Sequence, residues 1–287
     1  SVTEAPGEPT PLGRIHTQQV AVQLPTLKPW VTYTLMAFFG LVFVAPLIQR
    51  YALGQEGLFL TLHRNNAEIL KGQIWRFLTP AFIHASFLPI AFNLYVLYVF
   101  GKGLERFYGH LRLITLFVLA VLAGNITAFI ATDLSSAGAG AGLMGLLAAQ
   151  TLFIDQNRFL FGTRSRSLVN TAIIFIIINL LLGLMPGMDN MGNLGGMVGG
   201  TVFAWLAGPK LSVRPAEPAF QIIDKTSPRR VLIVTAAMTA LLALERANLA
   251  DQVVVSPTAL VGGSTMGLAA GEVLSVENLL WGLLLNS

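Results

Sequence analysis

Residues that could carry out catalysis are few in this sequence, and the candidates stand beside two glycine-rich stretches. The stretches are SAGAGAGLMG at residues 136–145 and NMGNLGGMVGG at residues 190–200. Hydrolysis by a serine needs a hydroxyl group and a base within hydrogen-bond reach of it. Ser135 and Ser136 supply hydroxyl groups, but the sequence offers no base beside them, and His84 would serve only if its segment moved.

Other kinds of chemistry also lack their usual residues. The chain has no cysteine, no cluster with the spacing of metal ligands and no phosphate-binding loop. No series of acidic residues runs through the apolar segments, which argues against a proton path or an ion transporter. We therefore expect no cofactor and no metal site.

The composition predicts an all-α membrane protein. Hydrophobic residues make up 54% of the 287 residues and charged residues 11%, and the mean hydropathy is +0.68. Soluble domains carry about 25% charged residues, so a soluble protein of this composition would expose apolar surface to water. The basic residues behind the net charge of +4 are grouped between apolar runs, a pattern typical of membrane orientation rather than of nucleic-acid binding.

Seven apolar runs are candidates for membrane spans, each judged against the roughly 20 residues that cross a bilayer. They lie at residues 29–48, 77–100, 113–131, 138–153, 168–185, 190–207 and 231–249. We expect a tail at 1–28, a six-span core at 29–207, a basic linker at 208–230, a seventh span at 231–249 and an apolar tail at 250–287. Residues 49–76 are expected to form short interfacial helices, and residues 101–112 a loop. The segment 271–287 is predicted as an interfacial or partner-docking helix, with a loosely ordered tail as the alternative.

The distribution of positive charge predicts the orientation. Of the 18 Lys and Arg residues, 13 fall in the N-terminal tail or in the segments after the second, fourth and sixth runs. Because positively charged loops stay inside, we expect an inner N-terminus, an outer C-terminus and a bacterial cytoplasmic membrane, or an organellar inner membrane.

Small residues predict close contact between the fourth and sixth runs, because they let two helix backbones approach each other. The glycines at this spacing are Gly138, Gly142 and Gly145 in one run and Gly192, Gly195, Gly196, Gly199 and Gly200 in the other. Such packing would bring positions 140 and 193 together about one turn inside the outer helix ends, in a shallow site that opens outward.

Several motifs, in order and at matching spacing, resemble the rhomboid family of intramembrane serine proteases. Trp75 and Arg76 resemble the Trp-Arg pair of that family's first loop, and HASFLPIAFN at residues 84–93 resembles its second-span motif. In this motif His84 and Asn93 match the family pattern, whereas Pro89 replaces a second histidine. Glu105 and Arg106 resemble residues of the turn that follows.

The resemblance extends to the glycine-rich stretches, but the residues expected to be catalytic differ. Gly140 stands where the family has its nucleophilic serine, and Asn193 stands where it has its catalytic histidine. The glycines that match the family around these positions are Gly138, Gly142, Gly145, Gly195, Gly196 and Gly199. The resemblance implies a six-helix rhomboid-like bundle, here followed by a seventh transmembrane helix.

The three departures predict a protein without protease activity. Gly140 has no side chain, the Asn193 amide is no general base near neutral pH, and Pro89 lacks a donor where the family stabilises the oxyanion. We expect a rhomboid-like pseudoprotease that contacts lipids and binds other transmembrane proteins, as an accessory or structural subunit of a hetero-oligomeric complex. An active protease with an atypical site is the alternative.

Overall fold

A computed structural model shows how these segments are arranged and describes residues 22–23, 27–54, 57–184, 189–214, 220–244, 252–254 and 273–275. The helices are α1 (Trp30–Leu53), α2 (Gly57–Leu62), α3 (Asn66–Leu70), α4 (Phe87–Val96), α5 (Lys102–Tyr108), α6 (His110–Ala131), α7 (Gly140–Gln156), α8 (Arg158–Phe161), α9 (Arg164–Leu182), α10 (Asn190–Ala207) and α11 (Pro228–Leu244). The strands are β1 (Val22–Gln23), β2 (Leu211–Arg214), β3 (Phe220–Asp224), β4 (Gln252–Val254) and β5 (Val273–Ser275).

The predicted class, an all-helical membrane fold, is confirmed. By length and composition, four segments of the described chain can cross a membrane: Trp30–Gln49, Phe87–Tyr108, His110–Ala131 and Arg164–Leu182. Helices α7, α10 and α11 have 17, 18 and 17 residues, which corresponds to about 26 Å at 1.5 Å per residue. The count of seven spans and the domain boundaries built on it stay predictions.

The second span begins later than the sequence predicted. Two short 3-10 turns, Ile74–Phe77 and Thr79–Phe82, occupy its expected start, and α4 begins only at Phe87. Pro89 lies in the first turn of α4, where a missing backbone N–H removes no helical hydrogen bond. The proline therefore fits the start of the helix rather than bending its interior.

The end of the second span also differs from the prediction. A π-helical turn at Leu97–Gly101 connects α4 directly to α5, so much of the expected loop at 101–112 is helical. Glu105 in α5 is fully buried and accepts hydrogen bonds from the backbone N–H groups of Val31 and Thr32, both at 2.8 Å. The Glu105 carboxylate thereby binds two backbone N–H groups in the first turn of α1, which have no acceptor within the helix.

A three-stranded sheet stands where the sequence predicted a tail and a linker. β3 lies in the middle, parallel to β1 and antiparallel to β2. Asn157 accepts a hydrogen bond from the backbone N–H of Leu211 at 3.0 Å, and Arg112 forms an ion pair with Asp224. These contacts place β1 and the described segments after α5, α7 and α10 on one side of the bundle, which is the side of the basic loops.

The opposite side is held together around Arg64, in the segment between α2 and α3. Its backbone forms an isolated antiparallel bridge with Ser136, and its side chain reaches Asp189 before α10. The first loop, the α6–α7 loop and the start of α10 therefore share this side. The grouping agrees with alternating spans, and which side faces the cytoplasm stays a prediction.

We expect single cysteines to report this orientation cleanly, because the chain has none of its own. Ser135 and Ser167 are both exposed and lie on opposite sides of the bundle. A membrane-impermeant maleimide should label Ser135→Cys in intact cells and should label Ser167→Cys only after permeabilisation. The reverse pattern would contradict the predicted orientation, and labelling of both variants in intact cells would contradict the span count.

The prediction of a helix at residues 271–287 is wrong for residues 273–275, which are the ones that the structure describes. Val273–Ser275 forms strand β5, antiparallel to β4, with Val254 opposite Val273. Val253, Val254 and Val273 are β-branched residues, a type that favours extended structure over helix. The rest of the predicted helix at 271–287 lies outside the described residues.

Candidate functional site

Close contact between α7 and α10 forms the base of the candidate site. A Cβ atom built on Gly196 would lie less than 3.0 Å from the carbonyl oxygen of Ala141, and one built on Gly200 would overlap with the backbone of Gly145 in the same way. Only glycine fits at these two points without separating the helices. The predicted approach of the fourth and sixth apolar runs is therefore present in the structure.

Helix α6 takes part in this packing, which the sequence analysis did not predict. Gly195 and Gly199 face Thr127 and Ala123 of α6 rather than α7, and Gly142 of α7 faces Phe117. The site consequently rests on three helices instead of two.

Gly138 has a different role from the packing role predicted for it. It precedes α7 with a φ of +128°, a backbone conformation that favours glycine, and its N–H donates to the carbonyl of Pro80 at 2.8 Å. It therefore turns the chain into α7 and ties that turn to the segment before α4.

The structure brings positions 140 and 193 together. Gly140 is the first residue of α7, and Asn193 is the fourth residue of α10. A Cβ atom on Gly140 would lie 3.3 Å from Cγ and 3.6 Å from Nδ2 of Asn193, with Oδ1 closer still. Position 140 thus lies at the helix end itself and not one turn inside, and the Asn193 amide covers it.

A small cavity of about 40 Å³, lined by both polar and apolar groups, lies at this contact. Its wall carries the amides Asn93, Asn125, Asn179 and Asn193 together with Pro80, Pro89, Phe92, Ser136, Ala137, Gly138, Gly140, Ala141, Leu182, Asp189 and Gly192. A water molecule needs about 10–15 Å³ of such volume, so the cavity has room for about three waters. The Nδ2 atom of Asn179 is buried without a partner in the described residues, and it is suited to bind such a water.

Asn193 is held by amide groups rather than by a group that could exchange protons. Its Nδ2 donates to Oδ1 of Asn190 at 3.3 Å, and Nδ2 of Asn190 donates to the carbonyl of Leu180 at 3.1 Å. This chain of hydrogen bonds links α10 to the end of α9. It orients the amide across the cavity, and none of its members is a general base near neutral pH.

His84 and Asn93 form a buried pair beside the cavity. Asn93 Nδ2 lies 2.9 Å from His84 Nε2, and the two residues are 5% and 6% exposed. His84 precedes α4 and is not part of the cavity wall, whereas Asn93 and Pro89 are. Burial lowers the pKa of His84 to about 4, so its ring is neutral near pH 7 and Nε2 accepts the Asn93 proton.

A buried ion pair between Arg64 and Asp189 lies at the end of the site beside the α6–α7 loop, and the sequence analysis missed it. The side-chain exposures are 0% for Arg64 and 5% for Asp189, and the two charged groups are 2.7 Å apart. Arg64 also donates to Ser136 Oγ at 3.0 Å, to Asn66 Oδ1 at 2.7 Å and to the Leu134 carbonyl. Arg64 has five N–H donors, and it therefore donates four hydrogen bonds, counting the one to Asp189.

The two hydroxyl candidates lack a base in this arrangement. Ser135 is exposed, and Ser136 Oγ accepts a hydrogen bond from Arg64 Nε. Asp189, the nearest carboxylate of the cavity wall, is already engaged: Oδ2 accepts from Arg64, and Oδ1 accepts from the N–H groups of Met191 and Gly192. Asp189 thereby caps the N-terminus of α10. An aspartate directly before a predicted helix is a sequence signal for this role, and it could have identified Asp189.

The remaining motif residues lie away from the cavity, and Arg76 among them holds the first loop together. Arg76 is 4% exposed and donates to Gln73 Oε1 at 2.7 Å and to the carbonyls of Leu60 at 3.0 Å and His63 at 2.6 Å. Its neighbour Trp75 is 46% exposed. Arg106 is exposed on the basic side. The structure thus separates these motif residues from the site that Gly140 and Asn193 form.

Comparison with known proteins gives one family. Residues 71–210 match the family model of the Rhomboid domain. The chain is 33% identical over 174 residues to "Rhomboid protease GluP" of Bacillus subtilis, which covers 60% of this chain and 34% of that protein. It is 32% identical over 152 residues to "Rhomboid-like protease 1" of Toxoplasma gondii, covering 51% of this chain and 52% of that protein.

A relative described as inactive also matches. "Inactive RHOMBOID-like protein 8" of Arabidopsis thaliana is 31% identical over 129 residues, covering 44% of this chain and 36% of that protein. The chain spans between about a third and about half of the length of these three relatives. Similar sequence therefore occurs both in relatives named as proteases and in one named as inactive.

Proposed function

We propose that this chain, which belongs to the rhomboid family of multi-pass membrane proteins by its match over residues 71–210, is a pseudoprotease that binds transmembrane partners. It would act as an accessory or structural subunit of a membrane complex, in a bacterial cytoplasmic membrane. The observation that carries the proposal is the Asn193 amide lying over Gly140 in a cavity of about 40 Å³.

The chemistry of the cavity supports the absence of proteolysis. Gly140 offers no nucleophile, and the Asn193 amide accepts no proton near neutral pH. Loss of the serine or the histidine alone lowers the turnover of a soluble serine protease by about 10⁶-fold. The hydroxyl of Ser136 does not replace the nucleophile, because its neighbour Arg64 is a hydrogen-bond donor that takes up no proton.

The small size of the cavity also supports the absence of proteolysis. Room for about three waters does not admit a peptide bond with its flanking residues unless the Asn193 amide moves. That movement would break the hydrogen bonds from Asn193 to Asn190 and from Asn190 to Leu180. The site is therefore built as a packed contact between helices.

The seam between α4 and α9 is the surface on which we place a partner helix. Only Ala172 and Asn179 of α9 are fully buried, and the face of this helix turned away from α7 has no neighbour in the described part of the chain. Its contact with α4 is formed by Phe175, whose ring centroid lies 6.0 Å from Phe92 and 5.8 Å from Tyr95. A helix lying against this seam would cover apolar side chains and come close to the Asn179 amide.

Site-specific photocrosslinking tests the binding proposal. A photoreactive residue at Leu88 of α4 or Ile178 of α9, which are 56% and 36% exposed, should join the chain to a partner of fixed stoichiometry in native membranes. The matched control is Leu41 of α1, which is 70% exposed and lies outside the seam. Equal products from all three positions, or none from Leu88 and Ile178, would contradict a partner on this seam.

We expect the unmodified protein in liposomes to leave a labelled transmembrane substrate uncut and to resist serine-directed phosphonates. Gly140→Ser alone should also be inactive, because its hydroxyl lacks a base and displaces the Asn193 amide. Even Gly140→Ser with Asn193→His would keep Pro89 at the oxyanion position, where one missing donor costs about 2.7–4 kcal/mol. Cleavage by the unmodified protein that disappears in Ser135→Ala/Ser136→Ala would instead establish the atypical protease.

A further inference from the structure

A second and larger cavity lies on the basic side, away from the candidate site. Its volume is about 1190 Å³, and it lies between the start of α1, the start of α6, the β-sheet and the first turns of α11. Residues of its wall include Lys28, Trp30, Arg106, His110, Leu111 and Leu232. We propose that this cavity binds an anionic phospholipid, with the phosphate of the headgroup at Lys28 and Arg106.

The charges of the wall favour an anion. Arg112 is paired with Asp224, and His110 with the buried Glu105. Lys28 and Arg106 are exposed and have no carboxylate partner among the described residues. These two cations are therefore free to bind a phosphate group, and Arg106 can donate two parallel N–H hydrogen bonds to it.

The apolar part of the wall distinguishes a lipid from a soluble phosphate. Trp30, Leu111 and Leu232 are 63%, 81% and 70% exposed, and they belong to α1, α6 and α11. The parts of α1 and α6 that carry Trp30 and Leu111 lie in segments able to cross a membrane. The cavity thus combines basic groups at the level of a membrane surface with apolar walls that continue towards the bilayer, as in sites for acidic headgroups between transmembrane helices.

Native mass spectrometry of the full chain, after exchange into detergent with defined lipids, tests the site. Phosphatidylglycerol should remain bound at one copy, and phosphatidylcholine should be lost more readily. Lys28→Gln and Arg106→Gln should each lower retention of phosphatidylglycerol about fivefold, the effect of about 1 kcal/mol per basic residue at a membrane surface. Arg164→Gln/Arg166→Gln is the matched control, because both arginines are exposed on the basic side and lie outside the cavity wall.

Two further experiments distinguish a phospholipid from a soluble phosphate as the ligand. Thr235→Trp, which fills the apolar part of the cavity, should reduce retention of the lipid while leaving the basic residues in place. Glycerol 3-phosphate should not compete at concentrations that leave the fold intact. Equal retention of the two lipids, an equal loss in the control variant, or full competition by glycerol 3-phosphate would overturn the lipid site.

Discussion

Replacing Arg64 with methionine is expected to lower the free energy of unfolding by about 3–5 kcal/mol, the cost of breaking a buried ion pair from one side. The guanidinium is fully buried and joins three segments: its own loop, the α6–α7 loop through Ser136, and the start of α10 through Asp189. Without it, Asp189, whose side chain is 5% exposed in the pair, would lose the cation that balances its charge. Reversible unfolding of the detergent-solubilised protein, followed by tryptophan fluorescence, measures the change.

Two companion variants separate the buried charge from loss of packing. Lys71→Met removes a basic residue of the same loop whose side chain is 68% exposed in its pair with Glu68, and exposed pairs contribute about 0–1 kcal/mol. Arg64→Met/Asp189→Asn removes both charges and keeps a residue that can cap α10, so it should recover part of the lost stability. A loss for Arg64→Met no larger than that for Lys71→Met would refute the structural role of the pair.

Features that depend on local sequence were predictable. Long apolar runs predict membrane helices because the bilayer leaves backbone groups no other partners. Glycines four residues apart predict close helix contact, and Gly196 and Gly200 make that contact. The placement of Gly140 beside Asn193 followed from these two facts together with the family motifs.

Features that depend on distant pairs were not predictable. Arg64 and Asp189 are 125 residues apart, and nothing near either residue in the sequence indicates the other. The sheet was missed because β1 has two residues and its partner β3 lies almost two hundred positions later. The buried Nδ2 of Asn179, which has no hydrogen-bond partner in the described residues, was not predictable either. A polar residue in an apolar run predicts only that its side chain faces the bundle, and not which groups it meets there.

The exposure of individual polar residues was also not predictable from the sequence. Asn170 and Asn179 both lie in the fifth apolar run, but Asn170 is exposed whereas Asn179 is 5% exposed. Glu105 matched a family motif in a segment expected to be a loop, whereas it lies in α5, where its buried carboxylate accepts hydrogen bonds from the start of α1. The position of Glu105 was misjudged because helix ends are the least certain part of a sequence-based prediction.

A single methyl group at Gly196 is expected to cost about 3 kcal/mol, the upper end of the range for overpacking a core. The Cβ atom of Gly196→Ala would overlap with the carbonyl oxygen and carbonyl carbon of Ala141. These are backbone atoms of α7, and no side-chain rotation can make room for the methyl group. The two helices must therefore separate, which also widens the contact between Gly140 and Asn193.

The matched control is Gly40→Ala in α1, where the added Cβ atom meets nothing within 4 Å. There the substitution should stabilise the protein by about 0.5–1 kcal/mol, because alanine loses less backbone entropy in a helix than glycine. Unfolding in detergent measures both variants, and the expected effects have opposite signs. If Gly196→Ala proved as stable as Gly40→Ala, the close contact of α7 with α10 would be wrong, and with it the explanation of why the cavity at Asn193 is so small.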